Sequence, residues 1–157
     1  MAKEVIEGAK APAFTMLTDG EDKTSLKDFK GRKLVLYFYP KDDTPGCTKQ
    51  AIAFTENIDA FEKAGAAILG VSKDTVAKHD KFKAKHGLTI TLGSDEDGKT
   101  LEAYGVWKEK NMYGKKYMGI ERSTFLIDGT GKIAKVWRKV KVPGHVEEVL
   151  EAVKELD

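Results

Sequence analysis

A lone cysteine, Cys47, stands in a turn whose residue types suit sulfur chemistry. The apolar, aromatic stretch before the turn, residues 34–39, predicts a buried strand, and the helix formers after it, residues 49–54, predict a helix. The order strand, turn, cysteine, helix puts the thiol in the first turn of a helix. Unpaired backbone N–H groups and the positive end of the helix dipole there favour a thiolate, the nucleophilic form of cysteine.

Four other residues are candidates for positioning a small polar substrate at Cys47. A partly buried thiolate is costly without a cation, and Arg122 is the candidate because it starts a predicted strand and its guanidinium donates through a charged, planar fork. The Thr44 hydroxyl both donates and accepts, so it can hold a hydroperoxide beside the sulfur. We expect Pro40 to stiffen the loop and shield the sulfur from water. We expect Gly46 to allow close backbone approach with its N–H exposed.

Each of these residues also has a purely structural interpretation. A lone cysteine is most often a small buried core residue. Arg122 taken alone is typical of a surface charge, and Thr44 of a turn or capping residue. The Thr-Pro-Gly setting at a helix start favours chemistry for Cys47.

The composition limits the class of protein. The length of 157 residues fits one domain, which we expect to span 1–157. The net charge of +2, with basic and acidic residues interleaved, argues against a nucleic-acid partner. No apolar run approaches the roughly 20 residues of a membrane span, and the N-terminus lacks the apolar run of a signal peptide. The sequence therefore predicts a cytoplasmic protein without a membrane partner.

The cysteine and histidine content limits the cofactors. One cysteine excludes an internal disulfide. His79, His86 and His145 form no tight cluster with other metal-binding residues, so we expect no metal site. We also expect no haem or flavin. A monomer is expected because no long exposed apolar stripe demands a partner.

Around the cysteine turn, the sequence predicts alternating strands and helices. An extended lead-in over 4–13 precedes a hairpin with a turn at Asp19-Gly20 and a single helical turn at 25–29. Further predicted strands are 66–72, 88–92, 123–127 and 133–137, and predicted helices are 47–63, 74–85 with Asp74 as N-cap, 100–104, and a C-terminal helix through 146–153. This order predicts an α/β, thioredoxin-like fold: a central mixed β-sheet flanked by helices, with an N-terminal hairpin extension.

Two further expectations concern aromatic and loop residues. Trp107, Trp137, Tyr113 and Tyr117 are expected to pack in the core or at its rim. Residues 112–118 are expected to form a loop, which would be able to border a pocket.

Several segments resemble one family. Pro40-x-x-x-Thr44-x-x-Cys47 matches the active-site motif of the peroxiredoxins. Residues 37–48, YFYPKDDTPGCT, resemble the bacterioferritin comigratory protein (peroxiredoxin Q) branch, as do the segments RSTFLID, YGVW and APAF. The resemblance covers nearly the whole chain.

The resemblance implies a role for each matching residue. Cys47 would attack a peroxide oxygen and become a sulfenic acid. Thr44, Arg122 and the backbone N–H groups near Gly46 and Cys47 would hold the peroxide, and Pro40 would pack over the sulfur.

One departure from the branch affects recycling. Many members have a resolving cysteine five residues after the first or in the following helix, where this chain has Ile52 and, roughly, Lys83. The chain therefore resembles a one-cysteine peroxiredoxin, whose sulfenic acid would be reduced by an external thiol, such as thioredoxin, glutaredoxin or a small thiol, or by a disulfide with another chain.

The predicted function is a thiol-dependent peroxidase that reduces hydrogen peroxide and organic hydroperoxides. The alternative is a redox-sensing or mixed-disulfide binding module that uses Cys47 without efficient turnover. The absence of Cys-x-x-Cys argues against a disulfide reductase.

Overall fold

The computed structural model of the chain describes residues 5–156. The strands are β1 Thr15–Thr18, β2 Asp22–Ser25, β3 Lys33–Phe38, β4 Ala66–Ser72, β5 Thr91–Ser94, β6 Trp107–Met112, β7 Lys115–Ile120, β8 Ser123–Ile127 and β9 Ile133–Trp137. The helices are α1 Pro45–Glu56, α2 Ile58–Lys63, α3 Val76–His86, α4 Lys99–Ala103 and α5 His145–Glu155. Glu4, where the predicted lead-in begins, and the ends of the predicted domain lie outside the described residues. Within 5–156, no helix has the length and apolar character needed to cross a membrane.

Seven of these strands form one mixed sheet in the order β2-β1-β5-β4-β3-β8-β9. Strands β3, β4 and β5 run parallel, whereas β1 and β8 join them antiparallel. The predicted N-terminal hairpin forms between β1 and β2, and the predicted hairpin near the C-terminus forms between β8 and β9. The mixed sheet expected from the sequence is therefore observed.

Both faces of the sheet are buried. Val35 and Tyr37 of β3 face a core shared with α1, α2, α3 and α5. Leu36 and Phe38 face a second core shared with α4 and the chain before β1. Because β3 is central and covered on both sides, it is apolar throughout rather than alternating. The end of this rigid strand is what positions the cysteine loop.

The helix after the cysteine loop is shorter than predicted. Instead of one helix to residue 63, α1 ends at Glu56 and α2 begins at Ile58, with Asn57 between them at φ −105° and ψ 8°. The Asn57 Nδ2 donates to the carbonyl of Ala53 at 2.8 Å. A side-chain amide that donates a hydrogen bond to nearby backbone competes with the regular backbone hydrogen bonds of a helix, which explains the break between α1 and α2.

Two other boundaries differ from the predictions. Thr75, not Asp74, is the N-cap of α3, because its side chain accepts from the N–H of Lys78 at 3.2 Å. The strand expected at 88–92 is β5, which begins at Thr91; Leu88 is buried in the core but lies outside the strand.

The loop predicted at 112–118 is instead a β-hairpin made by β6 and β7. Its turn residues, Tyr113 and Gly114, have φ values of 53° and 80°, as a tight hairpin turn requires. Tyr113 is 99% exposed, so the prediction that it packs at the core is wrong. Trp107 and Trp137 do pack, half-buried, against the two cores.

Candidate active site

Cys47 lies in the first turn of α1, as the sequence predicts. Pro45 occupies the start of the helix, where its fixed φ is favourable and its missing N–H costs nothing. The Cys47 side chain is buried, with 2% of its surface exposed, and it is a free thiol. Strand β3 ends at Phe38, and the loop of residues 39–44 connects it to α1. Cys47 therefore lies near the carboxyl end of β3.

Arg122 reaches the sulfur from another part of the chain. Its Nη2 donates to Sγ of Cys47 at 3.3 Å. The contact forms because Ser123, the next residue, pairs with Phe38 at the end of β3. A Cβ on Gly46 would lie 3.2 Å from Nη2, so glycine there leaves space for the guanidinium. The structure therefore brings three predicted site residues together.

Gln50 is a site residue that the sequence interpretation missed. It is fully buried, and its Oε1 accepts from Nη1 of Arg122 at 2.6 Å. It follows Cys47 by three residues, so both side chains lie on one helix face. Among the described residues its Nε2 has no hydrogen-bond partner. The three-residue spacing between Cys47 and Gln50 is the feature of the sequence from which Gln50 was predictable.

Thr44 and Pro40 lie in the loop before the helix. Thr44 is half-buried, and its hydroxyl donates to the carbonyl of Lys41 at 2.9 Å, which leaves the oxygen free to accept. Pro40 is exposed. The predicted grip of Thr44 on a peroxide and the shielding by Pro40 stay predictions.

Two further side chains respond to the charges at this site. Burial lowers the pKa of Lys110 on β6, and the Arg122 guanidinium lowers it further, against opposing effects of Cys47 and Glu121. Burial also raises the pKa of Tyr37 far above its usual range, with Cys47 and Asp42 adding to the rise and Arg122 opposing it. Tyr37 therefore stays a neutral phenol, and Lys110 lies close enough to Cys47 and Arg122 for their charges to act on its pKa.

No metal cluster is found among residues 5–156, where no three His, Cys, Asp or Glu side chains are grouped to hold an ion. The histidines have other partners: His79 pairs with Asp42, and His145 Nε2 lies 2.8 Å from the Thr124 hydroxyl. A cavity of about 570 Å³ lies around Phe29, Leu34 and Ile127, at the opposite end of β3 from the cysteine loop. It has no part in the arrangement around Cys47.

The comparisons with known proteins agree with this geometry. The AhpC/TSA family matches residues 8–136. A relative in Coxiella burnetii, named putative peroxiredoxin bcp, is 57% identical over 143 residues, which cover 91% of this chain and 95% of the relative. A solved cysteine-to-serine mutant of Xylella fastidiosa PrxQ superposes with a TM-score of 0.92 at 44% identity, covering 97% of each chain.

A second solved structure is the Xanthomonas campestris bacterioferritin comigratory protein, described for its alkyl peroxide reduction activity. It superposes with a TM-score of 0.86 at 50% identity and covers 90% of each chain. These superpositions confirm the predicted thioredoxin-like fold. The chain therefore belongs to the AhpC/TSA family, and within it to the peroxiredoxins named Bcp or peroxiredoxin Q.

Proposed function

We propose that this thiol-dependent peroxidase works through Cys47 as its single redox centre. A sulfur lone pair of the thiolate forms an S–O bond while the peroxide O–O bond breaks, which gives a sulfenic acid and hydroxide or alkoxide. The leaving oxygen then takes a proton and departs as water or alcohol. The observation that carries this proposal is the 3.3 Å contact between Arg122 Nη2 and the sulfur, which supplies a charged donor at the reacting atom.

The neighbouring residues hold the peroxide in this proposal. The Arg122 fork and the backbone N–H groups of Gly46 and Cys47 stabilise the charge that develops on the departing oxygen. The Thr44 hydroxyl accepts from the peroxide O–H and fixes its orientation, while Pro40 limits the access of water. Gln50 acts through Arg122, because it holds Nη1 at 2.6 Å and thereby aims Nη2 at the sulfur.

The substrates in this proposal are hydrogen peroxide and organic hydroperoxides. The alkyl peroxide reduction activity of the Xanthomonas campestris relative supports the second class. No bound metal or cofactor is needed for either substrate, because the electrons come from sulfur.

An external thiol completes the cycle, since the chain has one cysteine. That thiol attacks the sulfenic sulfur, water leaves, and a mixed disulfide forms; a second thiol then releases the Cys47 thiolate. Thioredoxin, glutaredoxin and a small thiol are the candidate reductants. A monomeric state and a cytoplasmic location stay predictions.

Peroxide consumption by wild-type protein and by Cys47→Ser, each with excess dithiothreitol, tests the proposal. We expect many turnovers by wild type and none by the serine variant. Consumption that stops after one equivalent would instead support the redox-sensing alternative. Undiminished consumption by Cys47→Ser would refute the role of Cys47.

A further inference from the structure

The loop before Cys47 is fastened to α3 by two consecutive aspartates. Asp42 Oδ2 lies 2.6 Å from Nδ1 of His79. Asp43 places its two oxygens 2.7 Å from Lys85 Nζ and 2.8 Å from His86 Nε2. The two connections differ in their surroundings: Asp42 and His79 are 8% and 0% exposed, whereas Asp43 is exposed.

The hydrogen bonds of His79 define its charge. Its Nδ1 faces the Asp42 carboxylate, and its Nε2 faces the carbonyl of Gly93 at 2.8 Å. Both neighbours accept only, so both ring nitrogens must donate, and the ring is an imidazolium. Burial opposes this charge, but Asp42, the Gly93 carbonyl and Asp74 outweigh it and raise the pKa of His79.

Asp42 is held by more than the histidine. The Tyr39 hydroxyl donates to Asp42 Oδ1 at 2.6 Å, and the Asp42 N–H donates to Asp74 Oδ2 at 2.8 Å. Asp74 also accepts from the Ser72 hydroxyl at 2.7 Å. The loop is thus tied through Asp42 to the ends of β3 and β4 as well as to α3. The titratable groups that face His79 are the two carboxylates and the Tyr39 phenol, whose oxygen lies 3.5 Å from Nδ1.

We propose that Asp42 and His79 form a positioning pair for the peroxidase reaction, which holds the loop so that Thr44 and the start of α1 meet the peroxide at Cys47. Asp42 is five residues before Cys47, and its hydrogen bonds go to Tyr39, Asp74 and His79, so it acts through the loop backbone. The inference rests on the proposed function. Misplacement of reacting groups by about 1 Å costs up to about 100-fold in rate, so a loosened loop should slow the reaction with peroxide.

The pair also implies a pH dependence. As pH rises through the raised pKa of His79, the imidazolium loses its proton and the buried ion pair is lost. The rate constant for Cys47 oxidation should therefore decline at alkaline pH, as His79 loses its proton.

The test compares Asp42→Asn with Asp43→Asn in single-turnover oxidation by hydrogen peroxide, quenched and read by mass spectrometry. The first substitution keeps the shape of the side chain but removes the carboxylate that pairs with His79. Asp43→Asn is the matched control, because it removes only exposed ion pairs and asparagine tolerates the φ of 58° at that position. We expect Asp42→Asn to slow oxidation by about 10- to 100-fold and to lose the alkaline decline. We expect Asp43→Asn to stay within about twofold of wild type.

Alkylation of Cys47 by iodoacetamide separates positioning from a general effect on the sulfur. This reagent does not need the peroxide-binding geometry, so its rate should change far less than the peroxide rate. Equal peroxide rates in the two variants, or a parallel loss of alkylation in Asp42→Asn, would overturn the inference. If Asp42→Asn does not fold, the pH profile of the wild-type oxidation rate tests the proposal. A rate that does not decline at alkaline pH would contradict the positioning role of Asp42 and His79. A wild type that peroxide does not oxidise would instead refute the proposed function.

Discussion

In the proposed mechanism, the reactivity of Cys47 depends on one guanidinium with two fixed partners. Arg122 donates Nη2 to the sulfur and Nη1 to the buried amide of Gln50. Hydrogen bonds to charged groups contribute about 1.5–3 kcal/mol, and the second bond limits the motion of the first. The guanidinium is therefore already aimed at the sulfur, where the proposed mechanism places negative charge before and during reaction.

Replacing Arg122 tests this arrangement at the level of one side chain. Arg122→Ala removes the charged donor, so we expect the rate constant for oxidation by hydrogen peroxide to fall by about 100- to 1,000-fold. Arg122→Lys keeps the charge but not the fork, and should lie between the alanine variant and wild type. Quenched-flow mass spectrometry measures all three. An alanine variant within about threefold of wild type would show that the contact is incidental.

At the scale of elements, local patterns predicted the buried core well. The predicted strand at 66–72 is β4 residue for residue, and the predicted terminal hairpin and C-terminal helix are also observed. These segments have either continuous apolar runs or a clear helical repeat. The hairpin of β6 and β7 was missed because most of its residues are charged or exposed on both faces, which leaves little alternation to detect.

The residues of the candidate site were predictable from the sequence where a local motif or the start of a strand marked them. They were not predictable where two residues far apart in the chain pair with each other. Cys47 and Gly46 belong to one local motif, and Arg122 was found through the strand that follows it. Asp42 and His79 are 37 residues apart, and a charged residue in sequence is most simply interpreted as solvent-exposed. Only the fold shows that this pair is buried.

Gly70 of β4 lies against the ring of Tyr37 on β3, the strand before the cysteine loop, so a substitution at Gly70 tests this packing. A Cβ on Gly70 would lie 2.6 Å from Cζ of Tyr37, whose ring is fully buried and stacked on Phe54. We expect Gly70→Ala to lower the free energy of unfolding by about 1–3 kcal/mol, because neither ring nor strand can yield without strain. Urea denaturation measures the change.

Gly119→Ala is the control for this variant. A Cβ on Gly119 would lie 3.2 Å from the flexible Lys110 side chain and 3.3 Å from Cε2 of Tyr117, an exposed ring that has room to move. We expect a change of less than about 0.5 kcal/mol. Equal losses in the two variants would contradict the role given to Tyr37 packing.

At the scale of the whole molecule, two buried histidines couple stability to pH with opposite signs. Burial lowers the pKa of His145 from 6.5 to about 4, with Arg122 also lowering it and Glu148 and Glu147 opposing. The pKa of His79 is raised instead, because its partner is a carboxylate. The folded chain thus keeps one neutral and one charged imidazole inside.

The free energy of unfolding should therefore fall on both sides of a maximum. Between pH 6.5 and about 4 the unfolded chain binds a proton at His145 that the folded chain does not, so stability falls with acid, by at most about 3 kcal/mol. The His79 contribution is full below its unfolded pKa and is lost as pH rises through the higher folded pKa.

Urea denaturation across pH distinguishes the two histidines. His145→Gln should flatten the acid side of the profile and His79→Gln the alkaline side, so each variant is the control for the other. If the loss of stability at acid pH were the same in His145→Gln as in wild type, the assignment of that loss to His145 would be contradicted.

Intact-mass spectrometry after one equivalent of hydrogen peroxide, followed by addition of a thiol, tests the single-sulfur cycle most directly. We predict that the wild-type protein gains one oxygen and that Cys47→Ser gains none. The thiol should then remove the oxygen from the wild-type protein through a mixed disulfide. Wild-type protein that gains no oxygen, or gains it at a residue other than Cys47, would contradict the mechanism.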